Sequence, residues 1–103
     1  MTELRVTPWT SSLLPSEAAI RRLLAEEGLR AYAWSNGPYD LYAPHTHDYD
    51  KVLYVLRGSI TFQLIELGAW HKLQPGDRLD LPAGTVHAAE VGAEGVVCLE
   101  AQR

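Results

Sequence analysis

Two stretches of the sequence decide the fold: His45-Thr46-His47, followed eleven residues later by Gly58, and the run GDRLDLPAGTVH from Gly76 to His87. Side chains alternate between the faces of a strand, so His45 and His47 point the same way, about 7 Å apart along the backbone. A corner at Pro82-Ala83-Gly84 returns the chain, and His87 then faces inward from the next strand. The three imidazoles are therefore placed to converge on one metal ion and to leave coordination positions open for water or substrate.

The sequence around these stretches has the pattern of an all-β domain. Short apolar segments are separated by turn residues rich in glycine and proline at regular spacing, which is typical of a closed barrel or a sandwich. The predicted strands are 30–34, 39–43, 50–56, 59–66, 70–73, 77–81, 85–91 and 95–101. One helix is predicted over 15–27, with Pro15 in its first turn and Gly28 as its stop, and we expect it to cover an open end or an edge of the sheet.

Composition limits the function classes. A chain of 103 residues with 47% apolar and 21% charged residues fits one domain, 1–103, with a barrel over about 30–101. The net charge of −4 argues against a nucleic-acid or membrane-surface partner. Neither a secretory signal nor a membrane span is visible, and the single cysteine, Cys98, cannot form an internal disulfide, so a cytoplasmic location is expected.

The two stretches resemble the motifs of the cupin superfamily. The second motif, Gly-x5-Pro-x-Gly-x2-His-x3-Asn, matches from Gly76 through His87, with Val91 where asparagine is common. In the first motif His45, His47 and Gly58 match, while the preceding Gly37 lies two residues too far away. The resemblance covers most of 37–91. It implies a jelly roll, or double-stranded β-helix barrel, with a metal in its mouth, in the manner of RmlC-like proteins, and frequent homodimers.

One position departs from the cupin pattern. Where the family places a metal-binding glutamate, four residues after the second histidine, this chain has Lys51. Lys51 shares strand parity with His45 and His47 and should point into the barrel, where its ammonium would repel a cation. Asp48 or Asp50 could neutralise it, burial could favour the uncharged amine, or three histidines could suffice for a metal while Lys51 pairs with an anionic substrate group.

These residues predict a metal-binding cupin of unknown substrate. His45, His47 and His87 would hold Fe, Mn, Ni, Cu or Zn, and Lys51 would bind a small polar or anionic molecule. A three-histidine metalloenzyme with dioxygenase-like chemistry is one hypothesis. The alternatives are a non-catalytic ligand-binding or sensing module with a weak or empty metal site, and a domain that acts only in stability or assembly.

Three further groups of residues receive structural interpretations. His71 is expected on the surface of a strand, and Cys98 in a buried final strand as an inert thiol. The aromatic residues near the first motif are expected to pack within strands and interfaces rather than to line a ligand site; they are Tyr32, Trp34, Tyr39 and Tyr42.

Overall fold

The computed structural model describes residues 2–103, which form seven strands and one α-helix. The elements are β1 (Arg5–Thr7), α1 (Glu17–Glu26), β2 (Tyr32–Asn36), β3 (Leu41–His45), β4 (Lys51–Leu64), β5 (Ala69–Leu73), β6 (Arg78–Leu81) and β7 (His87–Gln102), with a 3-10 turn at Ile65–Leu67. Within this part of the chain no helix is long and apolar enough to cross a membrane.

The strands form two walls that share their two longest members. The first wall has the order β1-β6-β4-β7-β2 and uses the first half of β4 and the second half of β7. The second wall runs β5-β4-β7-β3 and uses the other halves of the same strands. All pairings are antiparallel, and the space between the walls is filled by apolar side chains such as Leu53, Phe62 and Leu79. The prediction of an all-β jelly roll with one short helix is confirmed.

The predicted strand boundaries were wrong where glycines lie inside long strands. The segments 50–56 and 59–66 form the single strand β4, and 85–91 and 95–101 form β7. Gly58 has a φ of 76°, and an added Cβ would lie 2.0 Å from the carbonyl oxygen of Gly95 on the facing strand. The register shifts on both sides of this crossing, so the glycines bend the paired strands from one wall into the other instead of ending them.

The helix lies in a different place from the one expected. Its N-cap is Ser16, whose hydroxyl accepts from the amide of Ala19, so Pro15 precedes the helix instead of starting it. Ile20 and Leu24 are fully buried against the outer face of the first wall, not over an open end or edge of the barrel. Outward-facing side chains of β4 and β7 complete this second core; they are Val52, Tyr54, Leu56 and Leu99.

An ion-pair network ties the end of the helix to the first wall. The Arg78 guanidinium on β6 donates to both carboxylate oxygens of Glu27 and to both of Asp80. Arg103 donates to the same Glu27 carboxylate at 2.7 Å. Hydrogen bonding to Arg78 is the main cause that lowers the pKa of Glu27 to about 2. The network therefore holds this carboxylate in its charged form.

Candidate metal and ligand site

A bulge in β3 turns His45 toward the interior. Tyr42 pairs with Ala89 and His45 with His87, so three steps along β3 correspond to two along β7. Strict alternation would put Tyr42 and His45 on opposite faces, but the extra residue beside Pro44 lets both point inward. Consequently the imidazoles of His45 and His87 face each other across the two strands, with ring centroids 4.3 Å apart.

His47 joins them from the segment that connects β3 to β4. Its ring centroid lies 4.9 Å from that of His45 and 5.1 Å from that of His87, and its ring stacks on Tyr49. The connecting segment is held by the corner of the second motif, because the amide of Gly84 donates to the His47 carbonyl at 2.8 Å. One ring nitrogen from each of the three histidines lies within 4.8 Å of the others, so the structure brings together the three side chains expected at one site.

Backbone carbonyls set the tautomers of two of these histidines. The Nδ1 atom of His45 lies 2.6 Å from the Ala43 carbonyl oxygen, and that of His87 lies 2.8 Å from the Thr85 carbonyl oxygen. A carbonyl oxygen can only accept a hydrogen bond, so each Nδ1 carries the proton and each Nε2 keeps a free lone pair. This is the arrangement that orients histidines for metal binding.

The surroundings of His47 and His87 favour the neutral form of these two imidazoles. Burial lowers the pKa of His87, and burial together with the nearby Lys51 ammonium lowers the pKa of His47. His87 is 1% exposed, whereas the other two rings are half-buried and reach the cavity opening. Since a metal binds the neutral form, the three side chains fit a nitrogen-donor metal site.

Lys51 points into the barrel beside the cluster, as strand parity predicts. It is the first residue of β4 and is 8% exposed. Its Nζ lies 3.3 Å from Nε2 of His47, one of the two ring nitrogens through which His47 can bind a metal. The lysine therefore supplies a donor where the family pattern has a carboxylate ligand, and the site as folded offers three ligands, not four.

Neither Asp48 nor Asp50 is the carboxylate that neutralises Lys51. Asp50 accepts a hydrogen bond from the amide of Ala83 at 2.8 Å and holds the corner, while Asp48 is exposed. The carboxylate that pairs with Lys51 is Glu100 on β7, with Oε1 3.5 Å from Nζ. Both side chains are nearly buried, at 11% and 5% exposure, so this is an internal ion pair.

Glu100 is the functional residue that sequence analysis missed. Its carboxylate also accepts from the Tyr32 hydroxyl and, at 3.1 Å, from the Trp34 indole nitrogen. A signal existed: in the predicted last strand, Glu100 shares parity with Cys98, so a charged residue falls on the face expected to be buried. A buried carboxylate needs hydrogen-bond or charged partners, and this requirement could have identified Glu100 as a candidate site residue.

A cavity of about 310 Å³ lies over the cluster between the two walls. Tyr32, Trp34 and Tyr42 line it. They also pack within the strands as expected, since Trp34 lies edge to face with Tyr42. Tyr39 lies elsewhere and is 64% exposed. The remaining lining is apolar apart from the histidines, Tyr49 and Asn36 and the Lys51–Glu100 pair; it comprises Leu53, Ile60, Phe62 and Ala89.

The two other residues singled out in the sequence lie outside the cluster. His71 is on β5 opposite Phe62 and is half-buried, more enclosed than the surface position expected. Cys98 is fully buried in β7, and burial raises the pKa of its thiol to about 12. A thiol with so little thiolate at neutral pH is a poor nucleophile, which agrees with its interpretation as an inert core residue.

The chain belongs to the cupin-domain family, whose pattern matches residues 38–100. That range contains all three histidines, Lys51 and Glu100. No curated protein matches the sequence.

Solved structures show the same fold. A DUF861-family protein from Thermotoga maritima has a TM-score of 0.69 at 17% identity, over 98% of this chain and 100% of that one. The DMSP lyase DddQ from Ruegeria pomeroyi DSS-3 has a TM-score of 0.64 at 28% identity, over 73% of this chain and 38% of that one. KdgF from a Halomonas species has a TM-score of 0.58 at 28% identity, over 73% of this chain and 70% of that one. The chain thus spans well under half the length of the DMSP lyase that it matches.

Proposed function

We propose that this protein is a small-molecule cupin in which His45, His47 and His87 hold a divalent transition metal at the base of the cavity. The convergence of the three ring nitrogens within 4.8 Å carries the proposal. The fixed Nδ1–H tautomers of His45 and His87 support it, because they leave Nε2 free on the cavity side.

The donor set narrows the choice of metal. Imidazole suits Zn, Cu, Fe and Ni, whereas Mn prefers carboxylate oxygens, and the nearby Glu100 carboxylate is committed to other partners. Among Fe, Mn, Ni, Cu and Zn we therefore rank Mn last. When bound, the metal would supply Lewis-acid polarisation of a ligand oxygen, and an oxidisable metal would add dioxygen chemistry.

The chain's own residues would bind and orient the small molecule. Lys51 would donate to a polar or anionic group beside the metal, and Trp34 and Tyr42 would contact the rest of the molecule. Catalysis on such a molecule is supported by the likeness to the DMSP lyase DddQ at 28% identity.

A second candidate is a binding or sensing module that works without metal. The contact between Lys51 Nζ and His47 Nε2 favours it, since that hydrogen bond satisfies His47 when no ion is bound. We expect a cytoplasmic homodimer in either case. The exposed Leu41 and Trp70, at 76% and 62%, supply apolar surface for a second copy, and light scattering of the purified protein would measure the oligomeric state.

Metal analysis of protein purified without an affinity tag tests the proposal. We expect one metal per chain, or a thermal shift on adding Zn(II), Cu(II), Ni(II) or Fe(II). A metal at 100 times its Kd adds about 2.7 kcal/mol to stability, which for a domain of this size is a shift of roughly 10 °C or more. Substoichiometric metal with no shift for any of the ions would refute the metal site and leave the binding module.

Two histidine variants localise the effect. His47→Ala should abolish the metal-dependent shift, whereas His71→Ala, which changes the one histidine outside the cluster, should retain it. Equal retention by both variants would mean that the metal binds elsewhere.

A further inference from the structure

We propose that the cavity selects a small organic acid with a single anionic oxygen head and a flat apolar body of one or two rings. This inference rests on the proposed function and names the ligand class of the same site.

The charges at the base of the cavity call for an anion. Metal-ligating imidazoles are neutral, and the Lys51 and Glu100 charges cancel each other within 3.5 Å. A divalent ion among the three histidines therefore keeps its full double positive charge, whereas a carboxylate ligand from the protein would have reduced it. In a cavity with apolar walls such a charge strongly favours a ligand that brings a negative oxygen.

Glu100 is not free to supply this negative oxygen to the metal. Its Oε2 accepts from the Tyr32 hydroxyl, and its Oε1 accepts from Trp34 and pairs with Lys51. If the carboxylate left these donors to ligate a metal, the nearly buried Lys51 ammonium and the half-buried Trp34 indole N–H would lose their acceptor. The anion must come from the ligand.

Metal binding would release the N–H of Lys51 that now points at His47 and make it available to that anion. The Lys51 ammonium has three N–H groups, and its contacts are with Nε2 of His47 and Oε1 of Glu100. A metal bound through Nε2 of His47 would use the lone pair that Lys51 now contacts, while the pairing with Glu100 would keep the ammonium in place. The N–H released from His47 would then be available to the same anionic head.

The rest of the cavity favours an apolar body. Trp34 and Tyr42 lie edge to face at 6.3 Å, and the Phe62 ring lies 6.3 Å from that of His87. At the packing density of proteins, about 0.75, a cavity of about 310 Å³ leaves about 230 Å³ for the atoms of a ligand, which is room for one or two rings with their substituents. A second anionic group on the ligand would meet Glu100 or an apolar wall, so one head is favoured over two.

Calorimetry on zinc-loaded protein tests the inference with three probes: benzoate, acetate and benzyl alcohol. Benzoate combines head and body, acetate has the head alone, and benzyl alcohol has the body with a neutral head. We expect benzoate to bind at least tenfold more tightly than either of the others, and at least tenfold more tightly with zinc than without it. Equal affinity for benzyl alcohol or for acetate, or no effect of zinc, would overturn the inference.

A matched pair of lysine variants assigns the role of Lys51. Lys51→Met should still bind zinc but lose at least tenfold in benzoate affinity, while Lys72→Met, at the exposed lysine of β5, should behave as wild type. Undiminished benzoate binding by zinc-loaded Lys51→Met would overturn the role of Lys51. If Lys51→Met does not fold, the three wild-type comparisons decide the question. Failure of wild-type protein to bind zinc refutes the proposed function, whereas zinc binding without a preference for benzoate refutes this inference alone.

Discussion

Replacing Glu100 by leucine tests whether the internal ion pair stabilises the fold. The substitution leaves the Lys51 ammonium, with a side chain only 11% exposed, without its carboxylate. It also removes the acceptor of the Trp34 indole N–H, a bond of 3.1 Å. Tyr32 is 44% exposed, so its hydroxyl can turn to water, and we assign it no cost.

The remaining two contacts set the magnitude. Both contacts are made to a charged carboxylate, and such a bond contributes about 1.5–3 kcal/mol, so Glu100→Leu should cost about 3–6 kcal/mol. This agrees with the general cost of breaking a buried pair by removing one partner, about 3–5 kcal/mol. Glu100→Gln keeps an acceptor and the shape of the side chain, and should cost about 1–2 kcal/mol.

Urea denaturation followed by tryptophan fluorescence, with EDTA present, measures these losses. The decisive variant is the double substitution Lys51→Met with Glu100→Leu, which removes both charges. Because removal of both charges leaves no unpaired buried ion, the double variant should be about 2 kcal/mol more stable than Glu100→Leu and should keep only the loss of the Trp34 hydrogen bond. Additive losses, with the double variant at least as unstable as Glu100→Leu, would refute the pairing. Glu90→Gln, at an exposed position of β7, serves as the control and should change little.

Three other positions give independent predictions. Gly58→Ala should lower the free energy of unfolding, measured in urea, by at least about 3 kcal/mol, because the added Cβ would lie 2.0 Å from the facing backbone. Gly68→Ala, which has open space around it, should cost only the strain of its left-handed backbone, about 1–2 kcal/mol. Arg78 holds the pKa of Glu27 near 2, below its ordinary 4.5, so the stabilisation from this carboxylate is complete above pH 4.5 and is lost as the pH falls toward 2. The loss caused by Glu27→Gln, measured by urea denaturation, should therefore be full at pH 6 and shrink toward pH 2. Cys98 should react with a disulfide reagent such as Ellman's only at the rate of unfolding, since it is fully buried and its thiol pKa is about 12.

For each of these three predictions, one experimental result would contradict it. Equal losses for the two glycine variants would mean that the strand crossing can relax. A Glu27→Gln effect independent of pH would remove the ion pair as its cause, and Glu26→Gln, at the exposed neighbouring glutamate, should show no such trend. Immediate labelling of Cys98 in native protein would show that the final strand opens readily.

The sequence predicts the parts of the site that depend on local spacing. The common direction of His45 and His47 matches their two-residue spacing, although His47 lies beyond the end of β3. His87 follows a corner made by proline and glycine, and Lys51 shares parity within β4 with the inward-facing Leu53. These features need only the period of a strand and the chemistry of a turn. The three histidines therefore lie where they were expected.

The parts that were not predicted depend on pairings between distant segments. Glu100 becomes the partner of Lys51 only because β7 pairs with both β4 and β2, and no local pattern reports that register. The inward direction of Tyr42 depends on the bulge beside Pro44, which alternation does not foresee. Likewise, Gly58 and Gly95 look like strand ends in a one-dimensional pattern but prove to be bends once two strands cross there.

The crossing of β4 and β7 has a consequence for the ligand specificity of the cavity. Lys51 and Glu100 stand on one wall and His87 on the other, yet each wall is continuous with its neighbour through the same two strands. At the bend the strands approach so closely that even a methyl group does not fit beside Gly58. The distance between the ion pair and the histidines is therefore fixed by the backbone. Substitution of lining side chains can change which ligand the cavity binds without changing the distance between its walls.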